Sequence, residues 1–179
     1  MEAHIEAISK KYDEFYRFIF KKGMFAAKAT EKGFWGPTPT NEVLEILNQL
    51  SISRYRNFID LGSGDGKVVL LASLFTKATG IEFDPWLFRV ARDIKGKLSH
   101  IPHLSKAEFI EQDFMEHNLN GYDAVFCVPD KPMGRGLEKK LLRELSGDLI
   151  VYGHHFHPSK LNVKSRITVN EMPITVYNR

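Results

Sequence analysis

The sequence of 179 residues contains a single cysteine, Cys127, and no long run of uncharged apolar residues. One cysteine excludes an internal disulfide framework and any zinc site built from several cysteines. The missing apolar run excludes a transmembrane helix, and the N-terminus lacks the charged-then-apolar order of a signal peptide. We therefore expect a protein of a reducing, intracellular compartment, with a cytoplasmic location.

The sequence also has little excess of charge of one sign, since 25 Lys and Arg are balanced by 22 Asp and Glu, which gives a formal net charge of +3. That excess is too small to indicate nucleic-acid binding by itself. Apolar residues make up 43% and charged residues 26%, which excludes a disordered or collagen-like chain. The length suits one domain with a buried core.

The first 28 residues have the apolar spacing of an amphipathic helix. We predict a helix over residues 2–28, which Gly23 ends or bends, with an apolar face formed by Ile5, Ile8, Tyr12, Phe15 and Ile19. One interpretation is a cap packed on the domain that follows; another is contact of Lys21, Lys22 and nearby phenylalanines with a membrane surface. Acidic residues in the same segment favour the cap. We divide the chain into an N-terminal helical extension, 1–32, and a main domain, 33–179.

Beyond residue 33, a loop rich in glycine and proline leads to a helix that Thr40 or Asn41 can cap and that runs to residue 50. Strands and helices then alternate. Strands are predicted at 57–61, 78–82, 107–112, 123–128, 148–153, 165–169 and 173–178, and helices at 67–76, 86–98 and 135–145. This order predicts an α/β, Rossmann-like fold, in which a mostly parallel seven-stranded sheet has helices on both faces and an antiparallel C-terminal edge.

The strongest motif is the glycine loop Asp60-Leu-Gly62-Ser-Gly64-Asp-Gly66-Lys67, which ends the first strand of this alternation and opens a helix. Open α/β sheets bind their ligands at that position. Glycine allows positive φ and close approach of the backbone to a ligand. Glu82 ends the next strand, 82 − 62 = 20 residues after Gly62, where a carboxylate can accept both hydroxyls of a ribose.

Two cofactor classes use this arrangement. A nicotinamide or flavin dinucleotide favours G-x-G-x-x-G, which would need glycine where Lys67 stands, and the pyrophosphate would be repelled by Asp60. S-adenosylmethionine instead carries a sulfonium and an ammonium group, which acids suit. The pattern therefore favours S-adenosylmethionine over NAD, and the remaining alternative is a tight turn that binds no ligand.

Asp113 and Phe114 follow the third strand of the alternation. A carboxylate there can accept the adenine amino group, and an aromatic neighbour can cover the ring. The alternative is an Asx turn that merely ends the strand.

Three groups of residues resemble a known family. They are the segment Ile59 to Leu70, the segment Gly80 to Leu87 with Ala91-Arg92, and Pro37-Thr38-Pro39; Leu137 to Leu145 and His154-His155-Phe156 are also similar. Together they resemble class I S-adenosylmethionine-dependent methyltransferases. Within these, they resemble the mitochondrial protein-lysine methyltransferases that modify ATP synthase and the adenine nucleotide translocase, with their archaeal relatives.

The resemblance implies that Asp60, Gly62, Gly64, Glu82 and Asp113 contact S-adenosylmethionine, and that the methyl acceptor is an accessible lysine of a protein. Neighbouring candidates for the same role are Thr38, Ser63, Gly66, Phe83 and Phe114. Two features depart from the family. The mitochondrial enzymes carry an apolar membrane segment before this domain, whereas this chain has only the amphipathic helix. The segment Cys127-Val-Pro-Asp-Lys-Pro132 is not the Asn/Asp-Pro-Pro-Tyr/Phe signature of enzymes that methylate amide or base nitrogens, which counts against adenine or glutamine as the acceptor.

A lysine acceptor must be neutral to attack, and its ordinary pKa is about 10.4, so the site should desolvate it. Aromatic walls do this and tolerate a methylammonium product; the candidates are Trp35, Phe126, Phe156 and Tyr177. Catalytic candidates are Trp35 closing over the methyl group, His154 accepting a proton and Asp130 orienting the ammonium. For each residue, an ordinary core or loop position is the alternative.

The histidines at 154, 155 and 157 lack the further ligands of a zinc site, so no metal is expected. Two other functions remain open: methylation of RNA or a small molecule, and a module that binds the cofactor without catalysis. Basic residues are spread along the chain, which lends RNA only weak support.

Overall fold

The computed structural model describes the backbone of residues 1–179 and every side chain except that of Arg135. Its helices are α1 (Glu2–Lys21), α2 (Thr40–Gln49), α3 (Lys67–Ala72), α4 (Pro85–Lys97) and α5 (Gly134–Glu144). Its strands are β1 (Lys28–Ala29), β2 (Phe34–Trp35), β3 (Asn57–Leu61), β4 (Lys77–Glu82), β5 (Ala107–Glu111), β6 (Ala124–Cys127), β7 (Asp148–Tyr152), β8 (Asn162–Val169) and β9 (Met172–Asn178). Two short 3-10 helices cover Ile52–Arg54 and Pro102–Lys106.

The main sheet has seven strands in the order β5-β4-β3-β6-β7-β9-β8. Strands β3 to β7 are mutually parallel, whereas β9 runs antiparallel to both β7 and β8. Strands β4 and β5 lie on one side of β3, and the next strand in the chain, β6, lies on its other side. This reversal puts the carboxyl end of β3 at the topological switch point, where open α/β sheets bind ligands. The predicted fold class, including its antiparallel edge, is confirmed.

Alternate residues of each strand face opposite sides of the sheet. Phe58 of β3 joins a hydrophobic cluster with residues of α1, α2, α3 and α4, whereas Ile59 joins a second cluster with Leu141 of α5 and Leu145, the C-cap of that helix. Helices therefore lie on both faces, and the face with α5 is completed by loop residues such as Leu119. Burial of both faces explains why β6 and β7 consist almost wholly of apolar residues.

Helix α1 is part of the main core. Ile8 and Tyr12 are fully buried in the larger cluster, and Ile19 is buried in a third cluster with Trp35 and Leu87. The predicted apolar face of this helix is thus confirmed, and the packing is that of a cap. No helix among the described residues is long and apolar enough to span a membrane.

Several local predictions differ from the structure, since α3 ends at Ala72 rather than at residue 76 and β8 begins at Asn162 rather than at residue 165. Helix α1 ends at Lys21 rather than at residue 28, because Gly23 adopts φ +73° and turns the chain. Pro39 is the N-cap of α2, and no side chain caps the helix, so Thr40 is its first helical residue rather than its cap. The segment before α2 is more than a loop, since β1 and β2 pair as a two-stranded antiparallel ribbon.

Candidate functional site

The glycine loop connects β3 to α3 at the switch point. Gly62, Gly64 and Gly66 all have positive φ, as their pattern predicts. A side chain at Gly62 would meet no atom within 4 Å, so this part of the loop has an open face. At Gly66, a Cβ would lie 2.6 Å from the Phe109 ring and 2.7 Å from the Ala91 Cβ. The first glycine therefore leaves room for a ligand, whereas the third lets α3 pack closely on β5 and α4.

Glu82 supports the loop from the end of β4. Its Oε2 accepts a hydrogen bond from the Gly64 N–H at 2.8 Å, and its Oε1 accepts one from the Asp84 N–H at 2.7 Å. Burial raises the pKa of the carboxyl, while these hydrogen bonds act in the opposite direction. Glu82 is therefore held against the glycine loop at the end of β4, and its contact with the ribose of a cofactor stays a prediction.

Asp60 is an acid buried next to the loop. Its residue surface is 3% exposed, and among the described side chains no salt bridge reaches it. Burial, followed by repulsion from Glu82 and Asp65, raises the pKa of Asp60 to about 8. A cation placed beside this carboxyl would favour its ionised form. The site therefore fits a ligand with a sulfonium or ammonium group and disfavours a pyrophosphate.

Asp65, the other acid of the loop, turns toward α1. Its Oδ2 accepts a hydrogen bond from the Tyr16 hydroxyl at 2.6 Å, and its carbonyl oxygen accepts one from the Tyr12 hydroxyl at 2.9 Å. Lys67 lies 4.6 Å from the Tyr16 ring centroid and donates to the Thr38 carbonyl oxygen at 2.8 Å. Two side chains of the motif therefore fasten the N-terminal helix and the segment before α2 to the loop.

Trp35 lies in the aromatic packing between α1 and α4. It is 6% exposed, its ring centroid is 6.5 Å from that of Phe15 and 5.8 Å from that of Trp86, and it lies directly against Gly64. Among the other aromatic candidates, Phe126 and Tyr177 belong to the hydrophobic clusters, whereas Phe156 is 37% exposed. The ordinary core position therefore describes Trp35, Phe126 and Tyr177 in this structure, and a catalytic role for Trp35 stays a prediction.

Lysines of the ribbon reach the residues predicted to hold adenosine. The Lys32 Nζ lies 3.2 Å from the Asp113 Oδ2 and 4.9 Å from the centroid of the Phe83 ring. The Lys28 Nζ lies 2.8 Å from the Asp84 Oδ2, next to Phe83 in sequence. Sequence reasoning missed both lysines, since nothing in the local pattern connects them with acids more than fifty residues away.

Asp113 also makes the Asx turn that was the alternative interpretation, since its Oδ1 accepts a hydrogen bond from the Met115 N–H at 2.9 Å. The turn and a ligand-binding role are compatible, because they use different oxygens. Phe114 is half-buried and packs against the cluster that contains α5.

Ser63 and Asp130 differ in what they offer a ligand. The Ser63 hydroxyl is buried without a hydrogen-bond partner, and a Cβ at Gly80 would lie 2.6 Å from it. The side chain thus points into the sheet, and a contact of Ser63 with the cofactor stays a prediction. Asp130 is exposed after β6, and its Oδ2 accepts a hydrogen bond from the Phe34 N–H at 2.5 Å, so the ribbon fixes its orientation.

The histidines follow β7 at the carboxyl edge of the sheet. His154 is exposed, with its ring centroid 6.2 Å from that of His155, and the His157 Nδ1 lies 2.8 Å from the Tyr177 hydroxyl. Within the described part of the chain, no group of three His, Cys, Asp or Glu residues is arranged to hold a metal ion.

A sheet that reverses direction at β3, with an open glycine loop and a buried acid that none of the described basic side chains pairs with, defines a class I S-adenosylmethionine-dependent methyltransferase. The sequence profile of one such family, the ANTKMT methyltransferase domain, matches residues 60–164. That match covers more than half of the chain, and the chain belongs to this family.

Two curated relatives are lysine methyltransferases by name. The human lysine N-methyltransferase of the ATP synthase C subunit is 33% identical over 122 residues, which are 67% of this chain and 50% of the human protein. A protein-lysine N-methyltransferase of Saccharolobus islandicus is 28% identical over 148 residues, which are 79% of this chain and 89% of the archaeal protein. The chain therefore spans half the length of the human relative and nearly all of the archaeal one.

Solved structures support the fold at lower identity. An RNA methyltransferase from Salinibacter ruber, in complex with S-adenosyl-L-homocysteine, superposes with a TM-score of 0.67 at 22% identity, over 79% of this chain and 92% of that one. The tRNA (uracil-54, C5)-methyltransferase of Pyrococcus abyssi gives 0.64 at 13% identity, over 85% of this chain and 44% of that one. At these identities the likeness concerns the fold alone.

Proposed function

We propose that the protein methylates lysine side chains of a protein substrate, with S-adenosylmethionine as the methyl donor. The observation that carries the cofactor half of this proposal is Asp60, a buried acid beside an open glycine loop that forms no salt bridge with any described side chain. Lysine as the acceptor is supported by the two curated relatives, both of which are named lysine methyltransferases.

The cofactor, when bound, supplies an electrophilic methyl group on its sulfonium. Asp60 would place a carboxylate beside that positive charge, and Glu82 holds the loop on which the cofactor would lie. On the acceptor side, the protein has to align the lysine nitrogen, exclude water and favour the neutral amine. Asp130, oriented by the ribbon, is the candidate for the first task, and His154 is the candidate for accepting the proton.

Cofactor binding is tested by titration calorimetry with S-adenosylmethionine. Asp60→Ala and Glu82→Ala should each weaken binding by at least about tenfold, since each removes a charged partner from a buried site. Asp93→Ala is the matched control, because Asp93 is an exposed acid on α4. Unchanged affinity in both site variants would show that the pocket lies elsewhere.

The acceptor is tested by incubating the protein with radiolabelled S-adenosylmethionine and a cell lysate. We expect label that protease removes and nuclease does not, followed by recovery of methyl-lysine after hydrolysis. Nuclease-sensitive label would identify RNA as the acceptor, and label in neither polymer would indicate a small molecule. Cofactor binding without any labelled acceptor would indicate a non-catalytic module.

We also propose that the protein is located in the cytoplasm and that the end of α1 contacts an anionic membrane surface from that side. Phe20 is 59% exposed and Phe25 75% exposed, with ring centroids 6.5 Å apart, and the Lys22 ammonium lies 5.7 Å from the Phe18 ring centroid. Residues 15–30 contain four basic residues and no acid. Exposed aromatic rings among cations suit an interface of anionic headgroups.

Vesicle co-sedimentation tests this contact. The protein should sediment with vesicles that contain phosphatidylglycerol and much less with pure phosphatidylcholine. The double variant Phe20→Ser/Phe25→Ser should lose the binding, whereas Phe75→Ser, which changes a partly exposed phenylalanine after α3, should retain it. Equal sedimentation of the wild type with both vesicles, or with neither, would contradict the proposal.

A further inference from the structure

We propose that the β1–β2 ribbon, residues 28–35, is a gate over the cofactor crevice, and that Lys32 holds it closed by occupying the place of the adenine ring. The inference rests on the proposed placement of the cofactor. It assigns a role to a segment that the sequence predicts only as the end of the N-terminal extension and the start of a loop.

The ribbon crosses the carboxyl ends of four adjacent parallel strands. After β3, Trp35 lies against Gly64. After β6, Asp130 accepts the hydrogen bond from the Phe34 N–H. The ribbon therefore spans the switch point itself, where a ligand on the open face of Gly62 would lie.

The two lysines bind the ends of the remaining strands, β4 and β5. Lys28 pairs with Asp84 at 2.8 Å and lies 5.2 Å from the centroid of the Trp86 ring. Lys32 pairs with Asp113 at 3.2 Å. Both pairs join the ribbon to the rim of the crevice and not to the core, so they can break without unfolding the sheet.

Lys32 uses the two groups that adenine would use. Its ammonium group lies 4.9 Å from the Phe83 ring centroid and forms an ion pair with the Asp113 carboxylate at 3.2 Å. An adenine base would stack on the same ring and donate its exocyclic amino group to the same carboxylate. The Lys32 ammonium group and an adenine base cannot occupy this position at the same time. Binding of the cofactor therefore requires Lys32 to leave, and the ribbon to lift at this end.

The two ion pairs that close the gate are weak, as a gate requires. The side chains of Lys28 and Lys32 are 39% and 48% exposed, while those of their partners Asp84 and Asp113 are 12% and 20% exposed. Solvent reaches the lysine end of each pair and screens it, so each pair contributes little to stability. The opposite end of the ribbon is firm, because Trp35 is buried among aromatic rings. The geometry indicates a segment anchored at residue 35 that opens at residues 28–32.

The chain provides its own reporter for this motion. The ring centroids of its two tryptophans, Trp35 and Trp86, lie 5.8 Å apart at the ribbon, and the Lys28 ammonium lies over the Trp86 ring. Stopped-flow tryptophan fluorescence of the full chain, mixed with S-adenosyl-L-homocysteine, should show an observed rate that levels off at high ligand concentration, because gate opening limits association.

Lys32→Ala should raise that limiting rate and tighten equilibrium binding, each by about two- to fivefold, as expected from the loss of an exposed ion pair that competes with the ligand. Lys32→Arg should stay close to the wild type. Lys11→Ala is the matched control, because it removes an exposed ion pair, Lys11–Glu14 at 2.7 Å, which lies within α1 and not on the ribbon.

Weaker binding by Lys32→Ala, or an unchanged limiting rate, would overturn the gate. Its failure is distinguishable from failure of the proposed cofactor site. If the wild type binds S-adenosyl-L-homocysteine and Asp60→Ala does not, the site is established and the Lys32 result judges the gate alone. If neither the wild type nor Lys32→Ala binds this ligand, both proposals are wrong.

Discussion

Among individual residues, Asp60 links the chemistry of the site to pH. Burial and the neighbouring acids Glu82 and Asp65 raise its pKa to about 8, well above the ordinary range of an aspartate. In the absence of a cationic ligand, Asp60 is therefore mostly protonated at neutral pH. Because the pKa of Asp60 is higher in the folded state, its protonated form stabilises the fold. This stabilisation is fully present at a pH below the ordinary pKa of an aspartate, and it is lost as the pH rises through about 8.

Cofactor affinity should depend on the same proton. A sulfonium beside Asp60 favours its carboxylate form, so binding below pH 8 requires release of a proton. We expect affinity for S-adenosylmethionine to rise between pH 6 and pH 8, by at most about tenfold per pH unit. Asp60→Asn should bind weakly, with a flatter dependence on pH. Titration calorimetry in buffers of different ionisation enthalpy measures the proton release; a slope that is the same in both proteins would contradict this account.

Gly66 and Gly96 are two glycines at which an alanine substitution should have opposite effects on stability. Gly66→Ala would place a Cβ 2.6 Å from the Phe109 ring at φ +81°, so we expect a loss of stability of at least about 3 kcal/mol, or no folded protein. Gly96→Ala adds a Cβ to α4, where no atom lies within 4 Å, and should stabilise the protein by up to about 1 kcal/mol. Urea unfolding measures both. Equal effects would show that the close approach at Gly66 is not what requires glycine.

At the scale of elements, α1 is joined to the glycine loop by hydrogen bonds as well as by apolar contacts. Tyr16→Phe removes the hydroxyl that donates to the buried Asp65 carboxylate, and should lower the free energy of unfolding by about 1–3 kcal/mol. Asp65→Asn in the Tyr16→Phe background tests the pairing in a double-mutant cycle. A coupling energy near zero would show that the two residues do not act together.

The ribbon shows where element prediction from this sequence stops. Long elements with clear periodicity, such as α1, β3 and α4, were predictable because each carries its own apolar pattern. Strands β1 and β2 have two residues each, too few for any alternation to register. Their position depends on the distant partners Asp84, Asp113 and Asp130, which sequence spacing does not reveal.

For the whole molecule, the question is whether residues 33–179 fold without the N-terminal extension. Ile8 and Tyr12 are fully buried, and Tyr12 and Tyr16 bond to the glycine loop, so removal of α1 would expose both the core and the loop. We expect the truncated chain to lose cooperative thermal unfolding and binding of S-adenosylmethionine together. Differential scanning calorimetry and titration calorimetry measure the two. A truncated chain with the full-length midpoint would support an independent domain that begins at residue 33.

The sequence by itself determined the class of fold and predicted the place of the ligand. Alternating apolar strands and helices favour a parallel sheet, and a glycine loop with Glu82 twenty residues after Gly62 marks its binding edge, because these signals are local and periodic. Only the tertiary structure decided which side chains face that edge. It turned Asp65 toward α1, pointed Ser63 into the sheet, buried Trp35 against Gly64 and brought Lys32 to Asp113. Those outcomes depend on contacts between residues distant in the chain, which packing settles and local pattern does not encode.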